Sequence, residues 1–126
     1  MEGVGAMVKR ALFLASIMFA IELSAYDEAT LKPITLIGIV VDTGCYLAHD
    51  GIGADHEMCA RQCAGKGIPL AILDNTGKIY LPLGVDHENP NTRLTPFVEK
   101  KVKVTGTSVD RGGLSGITIK TIKAVK

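Results

Sequence analysis

Apolar and polar positions along the chain predict five β-strands. The first, at residues 34–42, is almost continuously apolar and rich in β-branched residues, which is typical of a central strand. The second and third, at residues 69–73 and 79–83, flank the turn-forming sequence at 74–77. Two such runs on either side of a tight turn predict a β-hairpin.

A second hairpin is predicted at the end of the chain. In residues 101–109 valines alternate with polar residues, so we expect the valines to point inwards. The turn is supplied by residues 110–113, and residues 114–125 form the return strand. A shift in the apolar pattern near Thr121 and Ile122 predicts a β-bulge in this last strand.

Between the first two strands the sequence predicts one short helix. The helical pattern begins at His56, and Gly65 and Gly67 can end it. The expected fold is therefore mainly β, a small five-stranded antiparallel barrel over residues 34–126. The run Val102-Lys-Val-Thr-Gly106 resembles the V-x-V-x-G pattern that curls a late strand of OB-fold proteins, and this resemblance implies an OB-like barrel.

The first 25 residues have the layout of a secretory signal. Lys9 and Arg10 precede a short apolar run that ends in Ser24-Ala25. Cleavage after Ala25 would place Leu23 where a small residue is expected, so a retained, helical membrane anchor is the alternative. As a helix, residues 11–25 would span about 22 Å, less than a hydrocarbon core of about 30 Å.

Both alternatives predict an exported protein, periplasmic and either soluble or anchored in the cytoplasmic membrane. If the leader is retained, residues 4–25 would contact the membrane. Residues 26–33 are polar and are expected to form a linker to the barrel.

The net charge of +1 hides an asymmetry along the chain. After Glu99 the only acidic residue is Asp110, whereas lysines are frequent. This basic end is either a solvated strand face or a docking surface for anionic lipid or an acidic partner in an envelope complex. The chain has no Trp and few aromatic residues, so binding of nucleic acid is not expected. The candidate docking residues are Lys100, Lys101, Lys103, Lys120 and Lys123.

Residues with ligand chemistry concentrate between the first two predicted strands. At about 100° per residue, His56, Cys59 and Cys63 fall within roughly 60° of arc on one helical face. Cys45 follows the first strand and can complete a Cys3His set of the kind that binds zinc or copper.

A structural disulfide is the competing interpretation, because exported cysteines usually oxidise. In that case Cys45 pairs with Cys59 or Cys63, and the remaining cysteine is buried as a small apolar side chain. The spacing of Cys59 and Cys63 does not match the C-x-x-C-H motif of covalent haem attachment.

The sequence from Ile39 to Gly44 resembles the hydrophobic-hydrophobic-D-T-G motif of dimeric retroviral-type aspartic proteases. That resemblance would make Asp42 a catalytic carboxylate, paired with its twin in a second subunit. The glycine-rich flap and the second hydrophobic-hydrophobic-Gly motif of that family are not evident. The alternative is an ordinary turn in which Asp42 bonds the backbone ahead of it.

Beyond the strands, the spacing D-x-x-C, H-x-x-C-A-x-x-C and V-x-V-T-G resembles small exported bacterial proteins of unknown function with an OB-like barrel. The resemblance implies export and fold but no activity. We therefore predict a non-enzymatic exported accessory or binding domain. The alternative is an anchored accessory subunit of a membrane electron-transfer complex.

Overall fold

Five strands form a closed barrel in the computed structural model, which describes residues 30–126. Their order around the barrel is β1-β2-β3-β5-β4, and β4 closes the ring against β1. The five predicted strands are confirmed, with small differences at their ends. The predicted N-terminal helix, the leader and residues 26–29 of the linker lie outside the described residues. The strands are β1 Leu31–Asp42, β2 Leu70–Asp74, β3 Ile79–Pro82, β4 Lys101–Arg111 and β5 Leu114–Ala124.

The first strand begins at Leu31, earlier than predicted, so Pro33 lies inside it. β2 pairs with β1 only between Gly38 and Asp42, whereas β4 pairs with β1 from Leu31 onwards. At Pro33, β1 therefore pairs with only one strand of the described residues, β4. Proline has no backbone N–H to donate, and such a position tolerates that loss.

The prediction that all strands are antiparallel is wrong for one pair. β3 and β5 run parallel, with Leu81 opposite Gly116 and Pro82 opposite Ile117, while the other four pairings are antiparallel. The cause is the long connection after β3, which brings β4 back beside β1. The terminal hairpin then places β5 beside β3 in the same direction.

The prediction of one helix between β1 and β2 is also wrong. Two α-helices lie there, α1 Thr43–His49 and α2 Glu57–Gly65, with a 3₁₀ turn, Ala54–His56, directly before α2. A third helix, α3 Asn91–Leu94, and a 3₁₀ turn, Thr95–Phe97, connect β3 to β4. Among the described residues, none of the helices has the length and apolar character required to cross a membrane.

The barrel interior is aliphatic. Val102 and Val104 point inwards as predicted, and both are fully buried. Ala60 and Ala64 on α2 belong to the same buried cluster, so this helix packs on the barrel through its small side chains. Cys59 and Cys63 lie on the flank of α2 beside these alanines, where Cys59 is exposed and Cys63 is half-buried.

The predicted bulge in β5 is confirmed close to the expected position. Thr105 pairs with Thr121 but Gly106 pairs with Ile119, so Lys120 is left out of the register. A Cβ atom on Gly106 would lie 2.1 Å from the carbonyl oxygen of Thr118. Only glycine allows this close approach of the two strands.

Candidate metal centre

Asp42 organises the turn that leads from β1 into α1. Its Oδ1 accepts hydrogen bonds from the backbone N–H groups of Gly44, at 2.8 Å, and Cys45, at 3.3 Å. These bonds satisfy free N–H groups at the start of the helix, as expected of an N-cap. The cap fixes Cys45 in the first turn of α1, beside the fully buried carboxylate.

The three cysteines converge, although Cys45 lies on α1 and the other two lie on α2. The sulfur atoms of Cys45, Cys59 and Cys63, which we call the cysteine cluster, all lie within 4.8 Å of one another. A tetrahedral zinc ion with Zn–S bonds of about 2.3 Å requires sulfur separations of about 3.8 Å. Small side-chain rotations are therefore enough to close the cluster around an ion.

A second set of donors shares Cys45 with the first. Ligand atoms of Asp42, Cys45 and His56, which we call the Asp42 triad, also lie within 4.8 Å of one another. The two sets share Cys45 and together contain Cys45, Cys59, Cys63 and His56, the four residues of the predicted Cys3His set, as well as Asp42. Within the described residues the four form two overlapping groups of three, not one group of four.

Three buried side-chain atoms near these donors have no hydrogen-bond partner among residues 30–126. They are Oδ2 of Asp42, Nε2 of His56 and Oε1 of Glu99. Asp42 is 0% exposed. Leaving such groups buried and unpaired costs about 1–3 kcal/mol each. Buried polar atoms that no protein group satisfies, beside a cluster of thiols, fit a metal site.

The carboxylate of Asp42 controls the protonation of the thiols. The pKa of Cys45 is raised to about 12, because the nearby carboxylate of Asp42 interacts with the protonated thiol and because burial and the charge of Asp42 disfavour the thiolate. The same interaction with Asp42, together with burial, raises the pKa of Cys63. Burial by itself would raise the pKa of Asp42, but its interactions with both thiols and its hydrogen bonds from the backbone hold the pKa below its usual value. Without a cation the thiols of Cys45 and Cys63 are therefore protonated at neutral pH.

Glu99 approaches the same centre from the connection before β4. Its Oε2 accepts a hydrogen bond of 2.8 Å from the N–H of Gly53, and its own N–H donates to Val40 O, also at 2.8 Å. Glu99 has a left-handed backbone, with φ of 58°. Burial raises the pKa of its carboxyl group, while the N–H of Gly53 and attraction to His56 oppose that shift.

Gly51 packs tightly against the centre. A Cβ atom at this position would lie 3.1 Å from Cys45 Cβ and 3.1 Å from the ring Cε1 atoms of both His49 and His56. The two rings are perpendicular, with centroids 6.2 Å apart. His49, which the sequence analysis did not select, thus lies at the edge of the site, although its side chain is exposed.

All three cysteines are free in the described residues, so the predicted disulfide is not present there. Their sulfur atoms are nevertheless close together, and oxidation in an exported protein stays a prediction. The protease-like motif forms the helix-capping turn that was its alternative interpretation, since Asp42 bonds the backbone ahead of it.

The predicted docking lysines lie outside the metal centre. Lys103 on β4 is directly opposite Lys123 on β5, and Lys120 is the bulged residue. Lys101 donates to the carbonyl of Lys126 at 3.4 Å. The structure thus places Lys103 and Lys123 side by side, but it does not bring any docking lysine into contact with a site ligand.

Sequence reasoning missed the position of Asp42 beside the candidate ligands and the presence of Glu99. The D-x-x-C spacing was the only signal for Asp42, because an N-cap at position 42 necessarily lies beside the first turn that carries Cys45. Glu99 had no local signal, since it reaches the centre through a bridge between Val40 and Val98.

No protein-family model, curated protein or solved structure matches the chain.

Proposed function

We propose that this chain is a non-enzymatic, exported accessory or binding domain whose Cys/His cluster holds a zinc ion. The ligands would be Cys45, Cys59, Cys63 and His56. The observation that carries the proposal is the convergence of three free thiols, one of which, Cys45, also lies within 4.8 Å of ligand atoms of His56 and Asp42.

The donor set favours zinc among the common metals. Three thiolates and one imidazole form one of the usual four-coordinate structural zinc sites. Thiolates also bind cuprous copper, which does not require the imidazole. Calcium and magnesium prefer oxygen donors throughout, so a sulfur-rich cluster is a poor site for them.

A zinc ion at this position would link α1 to α2 within the connection between β1 and β2. Cys45 belongs to α1, whereas Cys59 and Cys63 belong to α2, and the chain between these helices has few regular hydrogen bonds. A metal that links both helices would stabilise this connection, because its binding free energy adds to the folding free energy.

The non-enzymatic assignment is supported by the environment of Asp42. The carboxylate is fully buried and its Oδ1 is occupied by two backbone donors. A water-activating aspartate requires access to substrate, and Asp42 lacks that access. We accordingly interpret Asp42 as a neighbour of the metal ligands.

We also infer that the barrel is OB-like. This is supported by the position of α3 between β3 and β4, where OB-fold proteins usually carry a helix. The candidate metal centre would then lie in the connection between the first two strands, a loop that contributes to binding in many OB-folds. This comparison is an analogy of fold and does not identify a ligand.

Metal content and thiol titration test the proposed function. Protein purified without chelators should contain one zinc per chain, and fewer than three thiols should react until the zinc is removed. His56→Ala should weaken zinc binding, whereas His87→Ala, in the exposed loop before α3, should leave it unchanged. A metal-free protein that does not bind added zinc under reducing conditions would contradict the proposal.

A second candidate function, an anchored accessory subunit of a membrane electron-transfer complex, is supported by the basic surface on β4 and β5. Lys103 and Lys123 are cross-strand neighbours, and like charges directly opposite each other are destabilising unless an anionic partner neutralises them. The same surface would serve a partner or anionic lipid in the cell envelope.

Two measurements test this second function. The intact mass of the native protein shows whether the leader is retained. A Lys103→Glu/Lys123→Glu variant should lose association with the membrane fraction, whereas Lys66→Glu, an exposed residue at the end of α2, should not. Unchanged association of the double variant would argue against docking through this face.

A further inference from the structure

The side chain of Glu99 and the backbone of His56 both bond to Gly53. The Glu99 carboxylate accepts from the N–H of Gly53, and the N–H of His56 donates to the carbonyl oxygen of Gly53 at 2.9 Å. One oxygen of Glu99 and one ring nitrogen of His56 remain buried without a partner in the described part of the chain. Gly53 thus bonds to two residues that each have an unpaired buried atom: an acceptor on Glu99 and a potential donor on His56.

A metal-bound histidine normally donates its second ring N–H to a carboxylate or a carbonyl group. That outer contact fixes the tautomer and the orientation of the ring, and makes the imidazole a better ligand. The two nitrogens of His56 would divide these tasks, so that one binds the ion beside Cys45 and the other donates to an acceptor. Two buried carboxylate oxygens in the described residues lack a partner, Asp42 Oδ2 and Glu99 Oε1. Asp42 interacts with the thiols of Cys45 and Cys63, whereas Glu99 is bonded to Gly53, the residue whose carbonyl accepts from the N–H of His56.

We propose that Glu99 is the positioning residue for His56, and that this pair makes the centre selective for zinc over cuprous copper. The proposal rests on the proposed zinc site. It assigns Glu99 Oε1 as the acceptor for the ring N–H of His56 when the other ring nitrogen binds the ion. The attraction between the Glu99 carboxylate and His56 is consistent with this pairing.

Selectivity follows from the different coordination numbers of the two ions. Zinc in a structural site is almost always four-coordinate, so it requires a correctly oriented imidazole in addition to the cysteine cluster. Cuprous copper is satisfied by soft thiolates alone. Weakening the fourth ligand should therefore reduce zinc affinity and leave cuprous affinity almost unchanged.

Glu99→Gln is the sharpest test, because glutamine has the same shape and keeps an oxygen that can accept the N–H of Gly53. It removes the negative charge but retains the contact that holds the loop. Zinc affinity, measured by competition with a chelator under reducing conditions, should fall about 10- to 100-fold. Cuprous affinity, measured anaerobically in the same way, should change by less than about threefold. Glu57→Gln is the matched control, since the Glu57 carboxylate is engaged in a half-buried ion pair with Arg61 at 2.7 Å and its loss should affect neither metal.

A second variant separates positioning from a purely structural role. In a His56→Ala background, Glu99→Gln should cause no further loss of zinc affinity, because the residue that Glu99 positions is absent. Equal loss of zinc and cuprous affinity, additive losses in the double variant, or unchanged zinc affinity in Glu99→Gln would each overturn the proposal. Failure of the wild-type chain to bind zinc would instead refute the zinc site itself.

Discussion

At the scale of a single residue, Gly51 limits the space around the metal centre. A methyl group at this position would lie 3.1 Å from atoms of Cys45, His49 and His56. Forcing an extra carbon into such a site typically costs about 1–3 kcal/mol. We expect Gly51→Ala to weaken zinc binding by about tenfold or more, since about 1.4 kcal/mol corresponds to a factor of ten.

The control for this prediction is Gly65→Ala at the end of α2. Nothing lies within 4 Å of a Cβ atom there, and alanine favours the helix by up to about 1 kcal/mol. The variant should keep its zinc affinity and unfold at the same or a higher temperature. Equal zinc affinity for the two alanine variants would show that Gly51 does not shape the site.

Asn91 links α2 to the barrel through a buried side chain. Its Oδ1 accepts from the N–H of Leu70 at 2.8 Å, and its Nδ2 donates to Ile68 O at 2.8 Å. Asn91→Ala would leave both groups unpaired, so we expect a loss of about 2–3 kcal/mol in the free energy of unfolding. Thr92→Ala, at the exposed neighbouring position, should change it by less than about 0.5 kcal/mol. Urea denaturation of both variants checks the difference.

Several features of the strands and turns could be predicted from the sequence alone. The strand pattern of β4, the two hairpin turns and the bulge near Thr121 all depend on residues that are close in the chain, so local periodicity was sufficient. The parallel pairing of β3 with β5 depends on the path of the long connection between β3 and β4, and no local pattern encodes that path.

The candidate metal centre was likewise predictable only where it depends on residues that are close in the chain. Helical spacing predicted that Cys59 and Cys63 lie close together, whereas His56 belongs to the 3₁₀ turn before α2 and is grouped with Asp42 and Cys45. Glu99 enters the centre only because its N–H bonds to Val40 O, a contact between distant parts of the chain. The burial of Asn91 has no local signal either, because turn-forming residues precede it in the sequence although its own side chain is buried.

At the scale of one element, the β2–β3 hairpin depends on the side chain of Asp74. Its Oδ1 accepts from Thr76 N, Thr76 Oγ1 and Lys78 N, at 2.8, 2.6 and 3.0 Å. Partial burial alone would raise the pKa of Asp74, but these bonds hold it below 3.8. Asp74→Ala should therefore lower the free energy of unfolding by about 1–2 kcal/mol at neutral pH.

The acid dependence of this effect follows from the direction of the shift. A carboxylate with a lowered pKa in the folded state stabilises the protein above its unfolded pKa, and the effect is lost as the pH falls through the folded pKa. The difference between wild type and Asp74→Ala should thus shrink below about pH 3.8. Asn75→Ala, in the same exposed turn, should show a small difference that does not depend on pH. A constant difference for Asp74→Ala from pH 7 to pH 2.5 would contradict this role of the carboxylate.

At the scale of the whole molecule, zinc binding should couple the stability of the domain to pH. The ion binds thiolates, but the pKa of Cys45 is about 12 and that of Cys63 is also raised, so binding must displace protons from these thiols. Apparent zinc affinity should therefore increase from pH 6 to pH 8, by up to about tenfold per pH unit for each proton released.

This linkage can be measured as a shift in thermal unfolding. At a free zinc concentration about 100 times the dissociation constant, binding stabilises the folded state by about 2.7 kcal/mol. For a domain of this size that corresponds to an increase in unfolding temperature of about 10 °C or more. The increase should be larger at pH 8 than at pH 6 for a fixed zinc concentration, because fewer protons compete for the thiolates. A Cys59→Ser/Cys63→Ser variant should show no zinc-dependent increase at either pH, whereas an increase that persists in this variant would place the zinc outside the cysteine cluster.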